Sequence, residues 1–201
     1  WDIKGLRSAV HIEGSLNDPS NEDKFWSVEI AIPWDAMEEA NIHGNGHKDK
    51  FWRINFSRVN WHFDLQDQTY SRKKDEKGNY LPEYNWVWSP QGVINMHEPE
   101  HWGYVYFSSE SPENEVEFQI PEDEKIRCWM FELYRKQKSF KDNNGRWAQR
   151  IEDLIEEPLT INDNPIKPEL ENHRSGWNIT VKSPVTGNSY IITEDGKFLE
   201  F

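Results

Sequence analysis

Alternation of apolar and polar residues dominates the first half of the chain. Leu6, Ser8, Val10 and Ile12 alternate with Arg7, Ala9, His11 and Glu13, which predicts a strand with one buried face over Leu6 to Glu13. Trp26, Val28, Ile30 and Ile32 alternate with Ser27, Glu29 and Ala31 and predict a second strand, stopped by Pro33. Between them GSLNDPSNEDK carries turn residues and almost nothing apolar. Trp34 to Ala40 predicts one or two helical turns, and HGNGHKDK a loop. Phe51 to Val59 predicts a third strand, with Trp52, Ile54 and Phe56 on one side and Arg53, Asn55 and Ser57 on the other. Residues 62–84 predict a charged hairpin excursion with its turn near Gly78 and Asn79.

The stretch NWVWSPQGVINMHEPEHWGYVYF is the most aromatic. Trp86 and Trp88 share a face if YNWVW is extended, Pro90 and Gly92 end that run, and Trp102 to Phe107 predicts a strand occupied on both faces. The two indoles fit a core corner and an exposed platform equally. Trp26, Trp34, Trp52 and Trp102 are expected in the core, because their strand neighbours are apolar in phase.

After Ser108 the pattern changes. An acidic, proline-punctuated linker leads to Pro121, which with Glu122, Asp123 and Glu124 predicts a helix start. Ile126, Trp129, Met130 and Leu133 then fall at helical spacing. Trp147, Ile151, Leu154 and Ile155 predict a second helix, and PLTINDNPIKPELENHRSG a loop-rich crossing. Trp177, Ile179 and Val181 against Tyr190 and Ile192, across PVTGN, predict a hairpin, with a short third strand after Gly196. The organisation expected is therefore a mainly β unit over 1–109, a linker over 110–120 and an α+β extension over 121–201.

Composition narrows the chemistry. Eight of the eleven tryptophans precede residue 110, so the aromatic resources lie in the first unit. A net charge of −13, with no basic stripe between aromatics, argues against nucleic acid as a partner. No apolar run approaches the roughly 20 residues of a membrane span. Cys128 is the single cysteine, so no intrachain disulfide forms. The opening WDIKGL, without an initiator Met or signal peptide, reads as a processed or truncated piece of a longer protein.

Several residues invite a chemical role. Asn17, Asp18, Asn21, Glu22 and Asp23 offer oxygen ligands, with Asp18 and Asp23 as weak Ca²⁺ candidates, but their spacing matches no EF-hand and a solvated turn is the simpler expectation. His43 and His47 are four apart, yet intervening glycines argue against a metal-binding helix. Arg53 and Asn55, with Arg58 at the strand end, are either a wet strand face or planar hydrogen-bonding groups aimed into a sugar cleft. Glu83, Glu98 and Glu100 flank the aromatic loop as a glycosidase pair would, though none lies in an apolar pattern.

DKFWSVEIAIPW, FWRINFSRVNW and NWVWSPQGVINMHEPEHWGYVYF, in that order, resemble the C-terminal half of a family 9-like carbohydrate-binding module, over about residues 1–109. The resemblance implies an antiparallel, DOMON-like β-sandwich that holds a sugar between tryptophans with polar side chains on its hydroxyls, outside the cell, in the periplasm or at the cell surface. It carries over Trp86 or Trp88 as platform, with Arg53, Asn55, Arg58 and Asn95 as polar partners. It also implies a non-catalytic role, no obligatory cofactor and further strands upstream of Trp1, in a missing N-terminal segment of the same protein. Haem binders among DOMON-like relatives add one alternative, with Met96 or His97 as axial ligand.

Overall fold

The computed structural model describes residues 2–38 and 46–201, so His43 and the predicted end of the first helix lie outside the described residues. The described chain is mainly β, and every ladder in it is antiparallel. It divides into two compact units. One comprises residues 1–91 and 103–111, the other residues 92–102 and 112–201.

The N-terminal unit is a set of two-stranded ladders. β1 (Arg7–Glu13) pairs with β2 (Phe25–Ala31), placing Val10 opposite Val28 and Ile12 opposite Trp26. Directly opposed residues point to the same side, so one face of this ribbon is apolar and the other carries Glu29, His11 and Glu13. Pro33 has no N–H to extend the ladder, and α1 (Trp34–Glu38) follows at once.

Where one strand was predicted over Phe51 to Val59, two form: β3 (Lys50–Ile54) and β4 (Ser57–Asn60). The break at Asn55 and Phe56 lets the chain change partners. β3 pairs with a late strand, β8 (Gly103–Phe107), while β4 pairs with β7 (Tyr84–Val87). The excursion between them holds β5 (Phe63–Gln66) and β6 (Thr69–Arg72). Asp67 and Gln68 at their turn both have positive φ, as a two-residue hairpin turn of the primed type requires. A second turn follows where expected: the Asp75 carboxylate accepts the N–H groups of Lys77 and Asn79, and Gly78 takes φ +85°. The Asn79 amide foremost holds that carboxyl below its ordinary range.

The expected placement of the tryptophans fails in one respect. Trp52 is half-buried, T-shaped to Trp34 and Phe107, but Trp26 is 49% and Trp34 42% exposed. Apolar phase along a strand requires a facing layer to bury it, and among the described residues no buried apolar side chain belongs to this unit.

The C-terminal unit concentrates the core. α2 (Glu124–Asn144) ends at Gly145, whose left-handed φ of 69° lets its N–H reach the Lys141 carbonyl at 2.7 Å. Its stripe of Ile126, Trp129, Met130 and Leu133 is buried as predicted. The stripe packs with Trp177, Ile179, Val181, Tyr190 and Ile192 of a four-stranded meander. β9 (Thr160–Ile161) and β10 (Asn164–Pro165) form a minor ladder before it; the meander runs β11 (Glu169–His173), β12 (Gly176–Lys182), β13 (Ser189–Thr193), β14 (Phe198–Glu200).

The second predicted helix is only a 3₁₀ turn at Ile151–Asp153. Gln137, fully buried on α2, accepts the Ala148 N–H at 3.0 Å and donates to the Ala148 carbonyl at 3.4 Å, satisfying both backbone groups without a helix.

Candidate functional site

Of the residues predicted for a sugar cleft, Arg58 and Trp86 lie side by side, and each of the others has its own local setting. Arg53 is held within its own ladder: its guanidinium lies over the Tyr104 ring, 4.1 Å from the centroid, and donates to the Tyr104 hydroxyl. Asn55 stands at the strand break, its Oδ1 buried with no hydrogen-bond partner among the described residues. Asn95 belongs to the C-terminal unit, donating to Glu98 Oε1 at 3.1 Å and accepting the His97 N–H at 3.1 Å.

The two platform candidates differ. Trp88 donates its indole N–H to the Ile54 carbonyl at 2.9 Å, meets Phe56 edge-on and lies so close to Gly103 that a Cβ there would sit 2.5 Å from the ring. It is a strut. Trp86 is 61% exposed and lies opposite Arg58 in the β4–β7 register. The Arg58 guanidinium carbon is 5.8 Å from the Trp86 ring and 5.2 Å from the Trp26 ring. Two indoles from separate ladders thus flank one guanidinium, a cation–π arrangement that steadies it without consuming its N–H donors.

Arg58 lines a groove of about 950 Å³ together with Val10, Ile12, Phe25, Trp26, Phe63 and Tyr70 and with residues of the loop between β1 and β2. The loop is shaped by its own polar groups. Gly14 (φ +154°) brings the chain against Asp23, whose Oδ1 accepts the Ser15 N–H at 2.8 Å; Asp18 Oδ1 accepts the Ser20 N–H at 2.9 Å. The Ser20 side chain, then its backbone, holds the Asp18 carboxyl below its ordinary range. Both Ca²⁺ candidates are therefore engaged in shaping a turn, and their oxygens accept hydrogen bonds at the groove edge. The other groove cation, Lys24, is paired with Glu13 at 2.5 Å. Trp26, Phe63 and Tyr70 were not legible as site residues; the readable signal was a ribbon face with no polar residue larger than serine and no facing partner.

The carboxylates near the aromatic loop have another fate. Glu100, its side chain 1% exposed, binds Arg135 of α2 at 2.6 and 2.8 Å; Glu98 lies 3.4 Å from the same guanidinium and 3.6 Å from His101 Nε2. Glu98, Glu100 and His101 could converge on a cation, but the guanidinium already supplies positive charge there and opposes a second one. Cys128 adds an S–H to the Glu100 carbonyl at 3.4 Å, and Trp102 Nε1–H reaches the Met96 carbonyl at 2.8 Å. The 92–102 segment, Met96 and His97 included, is thereby clamped to α2 within the C-terminal unit.

Set against known proteins, the chain matches no family model, no curated relative and no solved structure.

Proposed function

We propose that the N-terminal unit is a non-catalytic carbohydrate-binding module, part of a DOMON-like β-sandwich completed by further strands of the same protein, and that it works on polysaccharide outside the cytoplasm or at the cell surface. The observation that carries the reading is the juxtaposition of exposed Trp86 and half-exposed Trp26 about Arg58, beside a groove with aromatic and oxygen-bearing walls. A sugar ring presents C–H groups on its faces and hydroxyls at its rim. Flat exposed rings meet the first, and directional donors and acceptors such as Arg58, Asp18 and Asp23 meet the second. A non-catalytic role is supported by the commitment of Glu98 and Glu100 to Arg135, which leaves neither placed as acid or nucleophile.

A glycan array tests the proposal. Binding to a defined set of polysaccharides, lost in Trp86→Ala and Trp26→Ala variants with unchanged thermal unfolding, is the expected result. Uniform absence of binding by the folded protein, with or without additional upstream residues, would overturn it.

A further inference from the structure

We propose that the groove selects saccharides bearing a carboxylate, the uronic acid class, and that Arg58 is the residue that reads the charge; this rests on the carbohydrate reading above. Among the described residues, two cationic side chains line the groove, Lys24 and Arg58. Lys24 is already engaged by the Glu13 carboxylate. Arg58 has no carboxylate partner among the described residues and is flanked only by the rings of Trp26 and Trp86.

Acidic residues outnumber basic ones 36 to 23. Arg72 is likewise set against two rings, those of Trp61 and Tyr80, but it does not line the groove, and Arg58 does. A guanidinium kept unpaired amid such an excess of acid, with ring faces on both sides, retains a planar fork of N–H donors. That fork matches the two oxygens of a carboxylate, where a single hydroxyl fills only part of it. The apolar walls raise the worth of a charge-assisted hydrogen bond made against them.

Asp18 and Asp23 also line the groove, so a bound acid sugar places its carboxylate on Arg58 and its hydroxyls, which donate, toward these carboxylates. The reversed pose sets like charges together. The net charge of −13 slows the approach of anions at low salt but is screened over about 8 Å at physiological ionic strength, leaving the local pairing decisive.

Calorimetric titration of the folded chain with galacturonic acid oligomers, the same oligomers methyl-esterified, and neutral cello- and xylo-oligosaccharides tests the inference. The acid form is expected to bind at least about ten-fold more tightly than its ester, as a charged pair replaces a neutral one, and to lose that advantage as salt is raised. Arg58→Gln should bring the acid down to the affinity of the ester with unchanged circular dichroism and unfolding. Arg58→Lys should keep part of the preference, because it keeps the charge and loses the fork. Equal binding of acid and ester, or a preference that survives Arg58→Gln, would overturn the inference. If neutral oligosaccharides bind in that case, the carbohydrate reading stands alone; if no oligosaccharide of any class binds, that reading falls as well.

Discussion

Trp88 donates its indole N–H to the carbonyl oxygen of Ile54 at 2.9 Å, tying the end of β7 to the end of β3, whereas Trp86 two residues earlier turns an open ring toward Arg58. The two indoles should therefore respond differently to truncation. Trp88→Ala removes a hydrogen bond and a half-buried ring, a loss of about 2 to 3 kcal/mol. Trp86→Ala should stay within about 1 kcal/mol, as exposed substitutions do, while abolishing glycan binding. Urea unfolding of both variants beside a binding assay checks the pair, and equal destabilisation would remove Trp86 as a platform.

Gly103 is the residue that permits this arrangement. A Cβ there would lie 2.5 Å from Trp88 Cζ2 and 2.6 Å from Ser89 Oγ, and an indole ring cannot swing aside as a flexible chain end would. Gly103→Ala should cost about 1 to 3 kcal/mol through overpacking. The cost should shrink sharply in a Trp88→Ala background, since residues in contact are not additive. A double-mutant cycle measures the coupling, and additive costs would show that the ring is not the obstacle.

Arg135 and Glu100 form the clamp of the 92–102 segment. Removing the guanidinium by Arg135→Met leaves a carboxylate with a 1% exposed side chain unpaired, which should cost about 2 to 3 kcal/mol, less than a fully buried pair because Arg135 is itself one-third open. Glu100→Gln in the same protein should recover part of that loss. Hydrogen exchange on residues 92–102 gives a local readout, where Arg135→Met should speed exchange across the segment.

Sequence periodicity served well wherever one element made one face. The β1 and β2 alternation, the Ile126 to Leu133 stripe and the closing hairpin from Trp177 all carry their own period, and each formed. It failed where a partner distant in sequence decides. Nothing within Phe51 to Val59 announces that β3 joins β8 while β4 joins β7. Glu169–His173 is too polar to read as a strand, yet it forms the edge of the meander, where one side of its backbone needs no neighbour. The Trp147 to Ile155 spacing was helical, but Gln137 grips the backbone at Ala148 before a helix can start. The site suffered likewise: Arg58 was readable, but its flanking by Trp26 and Trp86 depends on two ladders meeting.

Asp123 and Tyr190 each couple the stability of the C-terminal unit to pH. Burial pushes the Asp123 carboxyl up, but hydrogen bonds from Ser183, Thr186 and Tyr190 outweigh it and hold the carboxyl below its ordinary value. A carboxyl whose folded pKa is depressed contributes stability above its unfolded value, about 3.9, and loses it as pH falls through the folded one. Tyr190 is shifted the other way: burial first, then the Asp123 hydrogen bond and the Glu200 and Asp123 charges, push the phenol up. Its contribution is complete below its unfolded value, about 10, and is lost as pH rises beyond. Denaturant midpoints across pH should fall on both flanks. Asp123→Asn should flatten the acid limb and Tyr190→Phe the alkaline one; unchanged slopes would place the titrating groups elsewhere.

The apolar face of the β1–β2 ribbon carries the last prediction. Val10 is 65% and Ile30 59% exposed, and with Leu6, Val28 and Ile32, also exposed, they continue the apolar ribbon face that lines the groove at Val10 and Ile12. Such a face on a two-stranded ribbon suits a second β-layer, since sheets pack face to face about 10 Å apart, and exposed patches of this kind mark an interaction surface. If further strands of the same protein form that layer, replacing Val10 and Ile30 by Lys should leave this chain stable to within about 1 kcal/mol. The same change should reduce binding of a hydrophobic dye, and should destabilise a longer protein that carries the facing strands by several kcal/mol, because it would bury two charges. Dye fluorescence and equilibrium unfolding of the two lengths in parallel check this. A native chain of 201 residues that is monomeric, binds no dye and unfolds cooperatively would instead mean that the ribbon face has no missing layer.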